Sequence, residues 1–313
     1  MAAIRSTFTN PLTTQAAADP WMVFQDGFYY FTATLDPEGG LWVWKSRWLT
    51  EIDRGVKVKV WTAPPEGPRS RQIWAPELHF LRGKWYLYYT ASDGVDRNHR
   101  HYVLESETAD PQGAYLDQGR VDPQFEAYAI DGSVLETPDG ELYFMYTTGA
   151  LQIAPMSDPC TVSGEGVTIA RADLAWEHGW LEGPQALVRD GRIFIVYSAG
   201  HSAKVDYRLG LLTFTGGSPL DPAAWVKSPE PLFEPYSSAD GCVYTTGHCS
   251  FTRSPDGSED WLIYHAKDTA EYGFHGRTAR AQPFTWKADG SPDFGRPLPP
   301  GVPIRVPSGQ VMP

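Results

Sequence analysis

The hydrophobic positions of this chain are grouped in five short runs of aromatic and aliphatic residues, each following a turn that contains glycine. Each run closes on an aromatic residue followed by a small polar residue or histidine. Short apolar runs bounded by turn residues predict β-strands, and a helical period is almost absent between them. The five runs are FYYFTA after Gly27, KWYLYYTA after Gly83, ELYFMYTT after Gly140, RIFIVYSA after Gly191 and DWLIYHA shortly after Gly257.

The spacing of these runs indicates a structural repeat. The glycines that precede them are separated by 56, 57, 51 and 66 residues. A period of this length, made of a turn and short strands, is typical of stacked or radially arranged units. We therefore predict an all-β fold, a five-bladed β-propeller, in which each repeat forms one small sheet around a central axis. One loop from every blade would then meet at one end of that axis.

The repeats follow one another without a linker rich in serine or proline, so the sequence predicts a single domain over residues 1–313. All-β folds of this length often form one domain. The predicted blades cover about residues 19–70, 71–125, 126–175, 176–240 and 241–300, and a C-terminal segment closes the ring.

Charge and length exclude several classes of partner. The formal net charge is −12, which is the wrong sign for a surface that follows phosphates. No apolar run approaches the ~20 residues of a membrane helix. The first residues, MAAIRSTFTNPL, lack the apolar core of a signal peptide, so we expect a cytoplasmic protein or a secreted one whose signal has been removed. Of the three cysteines, Cys160, Cys242 and Cys249, the last two could form a disulfide.

A second recurring element, just before each aromatic run, carries the polar side chains. Asp19 lies 8 residues before its glycine, and the corresponding residues of the other repeats lie 9 before theirs. Equal offsets in equivalent units predict equal positions in space, so these residues should surround the axis at one level. The elements are Asp19-Pro20-Trp21, Trp74-Ala75-Pro76-Glu77, Ile130-Asp131-Gly132-Ser133, Leu181-Glu182-Gly183-Pro184-Gln185 and Gly247-His248-Cys249-Ser250.

Three of these residues are acids, and their convergence predicts a site of chemistry. Carboxylates that share a poorly solvated pocket repel one another, and the pKa of at least one of them rises. Such perturbed groups cluster at functional sites. Any single aspartate at the start of a blade could instead cap a turn, but three acids at matched offsets favour the functional interpretation. The candidates are Asp19, Asp131 and Glu182.

With these five elements in place, the chain resembles the glycoside hydrolases of family 43 over residues 19 to about 300. The resemblance implies a five-bladed propeller that acts on polysaccharides containing arabinose or xylose. It is most similar to the exo-acting α-L-arabinofuranosidases of that family, and the segment GRTARAQPFTWKADGSPDFG supports this placement. The implied mechanism is inverting, with Asp19 as general base, Glu182 as general acid and Asp131 as the group that raises the pKa of Glu182 and orients it.

The resemblance also implies roles for four further residues. His248 would face an axial channel that holds a Ca²⁺ ion or a water cluster, although hard cations prefer oxygen ligands and a hydrogen-bonded core histidine is the alternative. Arg277 would bind sugar hydroxyls and keep Asp131 ionised, or else form a surface ion pair. Trp74 would form a wall of the sugar subsite, with Trp21 as a further substrate contact. Ordinary blade packing is the alternative for such rings.

The sequence leaves other functions open. A β-xylosidase or an endo-arabinanase could use the same scaffold, and a propeller could also bind carbohydrate without catalysis. The last alternative predicts that one of the three acids would be missing, and all three are present. The expected substrates are arabinan or arabinose-containing oligosaccharides. The expected protein is a monomer that needs no cofactor for chemistry and binds neither nucleic acid nor membrane.

Overall fold

The computed structural model describes residues 6–35, 39–122 and 124–311. Five of the six sheets in these residues are arranged as a five-bladed β-propeller, so the fold predicted from the repeat is confirmed. The first sheet contains Ala18–Gln25 (β2), Phe28–Thr34 (β3), Gly40–Ser46 (β4) and Val56–Thr62 (β5). The second contains Arg71–Leu81 (β6), Lys84–Ser92 (β7), Arg100–Ser106 (β8) and Tyr115–Arg120 (β9).

The third sheet contains Ile130–Glu136 (β10), Leu142–Thr147 (β11), Leu151–Asp158 (β12), Thr161–Val162 (β13) and Val167–Ala170 (β14). The fourth contains Leu181–Arg189 (β15), Arg192–Ala199 (β16), Arg208–Phe214 (β17) and Trp225–Lys227 (β18). The fifth contains Tyr236–Ser238 (β19), Gly241–Arg253 (β20), Asp260–Lys267 (β21), Thr278–Trp286 (β22) and Pro292–Asp293 (β23). Neighbouring strands are antiparallel in every blade.

These sheets fall close to the predicted blade limits. The first sheet begins at Ala18, one residue before the predicted limit, and the hairpin strand Tyr236–Ser238 belongs to the fifth sheet rather than to the fourth. Within the described residues the helices are short 3₁₀ turns: Leu49–Arg54, Asp96–Asn98, Ala175–Glu177 and Pro222–Ala224. None of the helices described has the length and apolar character that crossing a membrane requires.

The five aromatic runs form the second strand of each blade's antiparallel pair, and they are buried along almost their whole length. The buried side chains divide into five clusters, and each cluster fills the space between two adjacent blades. Both faces of each blade are therefore covered. This explains why the runs read as continuous hydrophobic segments instead of alternating with polar residues.

The ring is closed where the two ends of the chain meet blade 5. Thr7–Phe8 (β1) pairs with Ile304–Arg305 (β24), and the side chain of Asn10 exchanges hydrogen bonds with the backbone of Ala281. Leu12 and Ala17 pack in the cluster between blades 1 and 5. The closing contacts hold Asp19, just downstream, against blade 5. Cys160, Cys242 and Cys249 all lie in the described part of the chain and are free thiols, so Cys242 and Cys249 do not form a disulfide.

Candidate active site

The innermost strand of every blade carries a β-bulge at the same end of the propeller. In each bulge one residue has a positive φ, which is strained for any residue other than glycine. Backbone strain that a fold retains at equivalent places often marks a functional region. Five of these residues occupy equivalent places, Asp19 (φ 52°), Ala75 (45°), Asp131 (57°), Gly183 (55°) and His248 (43°), and second bulges in β6 and β20 contain Gln72 (51°) and Thr245 (56°).

The positions of these bulges show that the predicted ring of residues around the axis was wrong by one residue in two blades. Asp19, Asp131 and His248 do occupy equivalent positions, but Trp74 and Glu182 come one residue before theirs. The offset from the glycine misled the prediction because the turns differ in length. Blades 1, 2 and 4 turn through two residues, whereas the turns that follow Glu136 and Arg253 are longer. Glu182 therefore enters the site from a different backbone position than the two aspartates.

A polar residue at the end of each blade's second strand has a structural purpose that the sequence alone did not reveal; it is Thr34, just after the run, in blade 1 and the polar residue of the run in the other blades. In four blades its side chain accepts a hydrogen bond from the backbone N–H of the bulge residue in the next blade. The pairs are Ala75 to Thr34 (2.8 Å), Asp131 to Thr90 (3.1 Å), His248 to Ser198 (2.8 Å) and Asp19 to Nδ1 of His265 (3.0 Å). The recurrent Thr, Ser or His thus satisfies the N–H group of a strained bulge.

Blade 4 departs from this pattern, because the bulge N–H of Gly183 is bonded to the carboxylate of Asp131 in blade 3. The N–H of Gly183 donates to Oδ2 of Asp131 at 3.0 Å. Thr147, which holds the equivalent position in blade 3, donates to the carbonyl of Leu181 instead. The carboxylate of Asp131 is consequently fixed against the residue that follows Glu182.

Asp19 lies in surroundings that favour its ionised form. Oδ2 accepts a hydrogen bond from Thr34 Oγ1 at 2.7 Å, while Oδ1 lies 3.3 Å from Nδ1 of His248 and 3.5 Å from Nη1 of Arg277. Burial alone would raise the pKa of Asp19, but the charges of His248 and Arg277 and the contact with His265 outweigh it and hold the pKa well below its usual range. Asp19 is therefore a carboxylate that can accept a proton.

Asp131 and Glu182 form a pair of buried acids with the opposite tendency. Burial raises the pKa of Asp131 to about 7, and the carboxylate of Glu182 adds to this, whereas His248 and the N–H of Gly183 oppose it. Burial also raises the pKa of Glu182, against two donors. Because the repulsion between two such groups is mutual, they titrate as a unit, and the last proton leaves the pair reluctantly.

The carboxyl of Glu182 is held at both oxygens. Tyr207 donates its O–H to Oε1 at 2.7 Å, and the indole N–H of Trp180 donates to Oε2 at 2.7 Å. The indole ring of Trp180 lies against Gly149, where a Cβ would approach it to 2.7 Å. The position of the Trp180 ring is thus fixed by its neighbour, and the two hydrogen bonds hold the Glu182 carboxyl in one orientation.

His248 faces the acids, and this bears on the predicted metal. Although burial opposes a charge on its ring, the carboxylates of Asp19, Asp131 and Glu77 outweigh that effect and raise the pKa of His248. A protonated imidazole does not ligate a metal. The described residues also contain no group of three His, Cys, Asp or Glu side chains arranged to hold a metal ion. The calcium ion predicted beside His248 is therefore not confirmed, because this donor set does not fit Ca²⁺.

The remaining predicted contacts lie in different surroundings. Trp74 stacks on the buried ring of His99, with ring centres 4.1 Å apart. Arg277 was expected to keep Asp131 ionised, but it approaches Asp19 instead. The indole N–H of Trp21 donates to the carbonyl of Leu78, and its ring packs on blade 2. This placement of Trp21 is that of a residue in blade packing.

Sequence reasoning missed four residues that contact or approach the acids. Trp180 and Tyr207 bind Glu182, His265 accepts from the N–H of Asp19, and Tyr128 lies 6.3 Å from Trp180 between ring centres. His265 is the polar residue of the fifth aromatic run, but the repeat pattern assigned it no role in the site. No spacing signal marks Tyr207, which lies on the segment between β16 and β17.

Known proteins resemble this chain over most of its length. The model of the family described as "Glycosyl hydrolases family 43" matches residues 8–292. The chain is 33% identical over 320 residues to "Alpha-L-arabinofuranosidase 43" of Humicola insolens and 34% identical over 322 residues to "Extracellular exo-alpha-(1→5)-L-arabinofuranosidase" of Streptomyces avermitilis. Each alignment covers 96% of this chain and 66% of the relative, so the chain spans slightly less than two thirds of their length.

A relative from Streptomyces chartreusis that bears the second of these names is 34% identical over 279 residues, which is 84% of both chains. Among solved structures, an α-L-arabinofuranosidase from Lactobacillus brevis superposes with a TM-score of 0.86 at 32% identity. The match covers 94% of this chain and 98% of that one.

Proposed function

The chain belongs to glycosyl hydrolase family 43, and we propose that it is an inverting, exo-acting α-L-arabinofuranosidase that releases terminal arabinofuranose from arabinan or arabino-oligosaccharides. The observation that carries the proposal is the contrast among three buried acids. Asp19 is held ionised, while burial raises the pKa of Asp131 and Glu182. Two carboxyl groups whose surroundings drive their pKa values apart are suited to act as base and acid in one reaction.

The roles follow from these protonation states. Asp19 accepts a proton from a water molecule as that water attacks the anomeric carbon, and Glu182 gives its proton to the departing glycosidic oxygen. The C–O bond to water forms while the bond to the leaving group breaks, so the configuration at the anomeric carbon inverts in one step. After the reaction Asp19 carries a proton and Glu182 does not, and exchange with solvent restores both.

Asp131 and Arg277 support these two groups. Asp131, fixed by the N–H of Gly183, places a neighbouring carboxyl beside Glu182 and helps that residue to keep its proton. Arg277 lowers the pKa of Asp19 and offers further N–H groups to sugar hydroxyls. Trp74 is a proposed wall of the sugar subsite. Trp21 is a further proposed substrate contact, with its indole N–H bonded to Leu78 and its ring packed on His79 of blade 2.

The preference for arabinofuranose and the exo mode rest on the names of relatives that are 33–34% identical. Three substrates measured side by side test both: p-nitrophenyl α-L-arabinofuranoside, p-nitrophenyl β-D-xyloside and linear arabinan. We expect the highest kcat/KM on the arabinofuranoside and arabinose as the only early product from arabinan. Preference for the xyloside would indicate a β-xylosidase, and early release of oligosaccharides from arabinan would indicate an endo-arabinanase.

The stereochemistry of the first product tests the single displacement. From an α-arabinofuranoside we expect β-arabinose to form first, because the water held by Asp19 attacks the face opposite the leaving group. Proton NMR of fresh product, recorded before mutarotation, measures the ratio of anomers. Initial α-arabinose would mean a covalent intermediate on the enzyme and would remove the proposed role of Asp19.

Substitution of Asp131 tests its influence on Glu182. In Asp131→Asn we expect the basic limb of the profile of kcat/KM against pH to move to lower pH. The reason is that loss of the last proton from Glu182 no longer creates two adjacent negative charges. The same variant should lose activity, because an amide cannot replace the carboxylate that accepts from Gly183 with equal strength. A basic limb at the wild-type position, with full activity, would remove Asp131 from the mechanism.

A further inference from the structure

One of five equivalent positions in the propeller differs chemically from the other four. The polar residue at the end of the second strand, beside the bulge, is a hydroxyl residue in blades 1 to 4, and it is His265 in blade 5. In three of those blades the hydroxyl accepts the bulge N–H of the next blade, which is what His265 does for Asp19. A threonine or serine is therefore sufficient for this bond, and the imidazole supplies something that the fold itself does not require. The four hydroxyl residues are Thr34, Thr90, Thr147 and Ser198.

The imidazole is also costly where it stands. His265 is fully buried, and burial lowers its pKa to about 4, so the ring is neutral at ordinary pH. Nδ1 lies 3.0 Å from the backbone nitrogen of Asp19 and 3.3 Å from its Oδ1, while Nε2 is buried without a hydrogen-bond partner among the described residues. An unsatisfied buried polar atom destabilises a fold, which favours a functional reason for its retention.

The His265 ring is connected to the proposed acid, Glu182, through Tyr207. The ring of Tyr207 lies parallel to it, with centres 5.7 Å apart and planes at 7°. The hydroxyl of Tyr207 in turn donates to Oε1 of Glu182 at 2.7 Å. The Tyr207 ring also lies against Gly247, the cross-strand partner of His265, where any Cβ would collide with it. The ring therefore packs closely on blade 5, against the His265 ring and the backbone of the neighbouring strand.

We propose that His265 and Tyr207 form a rigid spacer that fixes the position of Glu182 relative to Asp19. Both are positioning residues, and the proposal rests on the proposed function, in which these two carboxyl groups are acid and base. An inverting hydrolase needs a separation that admits one water molecule beside the sugar. Since an error of about 1 Å in such a site can cost a hundredfold in rate, a pair of stacked rings is a suitable support.

The hydroxyl of Tyr207 can hold Glu182 in both of its protonation states. When Glu182 is ionised, Tyr207 donates to it, as in the structure. When Glu182 carries its proton, its own O–H can donate to the oxygen of Tyr207, while the Tyr207 O–H turns to Ser198, which is also in hydrogen-bond contact. The spacer therefore keeps the acid in place before and after it gives up its proton.

Several other charged groups act on the titration of Glu182, and the test must separate them from Tyr207. The groups that face it are Asp19 on β2, Tyr128 before β10, Asp131 on β10 and His248 on β20. A substitution at Tyr207 does not alter these four residues, whereas a substitution at His265 also alters a contact of Asp19. The donor hydrogen bond from Tyr207 lowers the pKa of Glu182, so removing it should have the opposite effect.

The experiment is a double-mutant cycle of Tyr207→Phe and His265→Thr, the second of which gives blade 5 the type of residue found in blades 1 to 3. Carboxyl-¹³C NMR of labelled glutamate, assigned with Glu182→Gln, measures the pKa of Glu182 without substrate. We expect the pKa to rise in Tyr207→Phe, to rise less in His265→Thr, and to rise in the double variant no further than in Tyr207→Phe. We also expect kcat/KM on the arabinofuranoside to fall about tenfold or more in each single variant, and the losses not to multiply.

Tyr197→Phe is the matched control. Tyr197 is equally buried on β16 of the same blade, and its hydroxyl donates to Glu177 at 2.8 Å, outside the site. This variant should lower the melting temperature without changing the titration of Glu182 or kcat/KM. If His265→Thr does not fold, His265→Gln keeps an acceptor for Asp19 and removes the stacked ring.

A wild-type titration of Glu182 in the His265 variant, or losses that multiply in the double variant, would overturn the spacer. A fall in melting temperature alone would do the same, since it would show a structural role only. Because the titration needs no substrate, absence of hydrolysis by the wild-type protein would contradict the proposed function separately.

Discussion

Glu182→Gln is expected to lower kcat/KM on arabino-oligosaccharides by about 10²–10⁴-fold, the range that a general acid supplies, and to lower it far less on an aryl arabinofuranoside. A sugar alcohol is a poor leaving group that needs the proton of Glu182, whereas an activated phenol leaves without it. The substitution is nearly isosteric. Tyr207 can accept from the new amide as readily as it donated to the carboxylate, so the site should keep its shape.

The comparison of the two substrates is the decisive measurement. Glu177→Gln serves as control because Glu177 is fully buried beside blade 4 and its side chain is bonded to Tyr197 and Lys227, away from the three acids. We expect its kcat/KM to match the wild-type value on both substrates. Equal losses of Glu182→Gln on the oligosaccharide and the aryl substrate would show that Glu182 is not the proton donor.

The fold could be predicted from the sequence because the same pattern of a glycine turn and an aromatic run occurs five times. The aromatic runs are buried between blades on both faces, so they stay hydrophobic at almost every position, and the glycine turns mark where each run begins. Local signals of this kind survive the assembly of the whole fold. The prediction of the blades therefore needed only the period and the composition of the repeat.

The site was less predictable because its geometry depends on turn lengths and on contacts between blades. Counting from Gly191 placed Glu182 at the level of Asp131, and the two-residue turn Asp190–Gly191 shows that Gly183 holds that position. The contact of Tyr207 with Glu182 joins a connecting segment to a strand, and no periodic pattern predicts where such a segment lies. The assignment of Trp21 failed to anticipate the carbonyl of Leu78 for a similar reason, since that partner belongs to another blade.

The charge pattern around Asp19 could not be derived from the sequence either, and it changes the account of Arg277. That residue was expected to act on Asp131, and the structure brings it to Asp19. Together with His248, whose pKa is raised by the neighbouring carboxylates, it keeps the proposed base ionised in a buried site. The acid limb of the profile of kcat/KM against pH should accordingly lie well on the acidic side of neutrality, because Asp19 must be protonated to lose its function.

The general base and the general acid should differ in how their loss depends on the leaving group, and this difference gives the second prediction with a large effect. Asp19→Asn is expected to lower kcat/KM by about 10²–10⁴-fold on the oligosaccharide and the aryl arabinofuranoside alike, because attack by water needs a proton acceptor whatever group departs. Asp260→Asn is the control. Asp260 is an aspartate bonded to Arg253 and Trp286 at the N-terminal end of β21, whereas His265, the β21 residue that contacts Asp19, lies near the C-terminal end. Parallel kinetics on the two substrates give the answer. If the loss in Asp19→Asn depended on the leaving group as it does in Glu182→Gln, the two acids would share one role, and the separation of base from acid would be wrong.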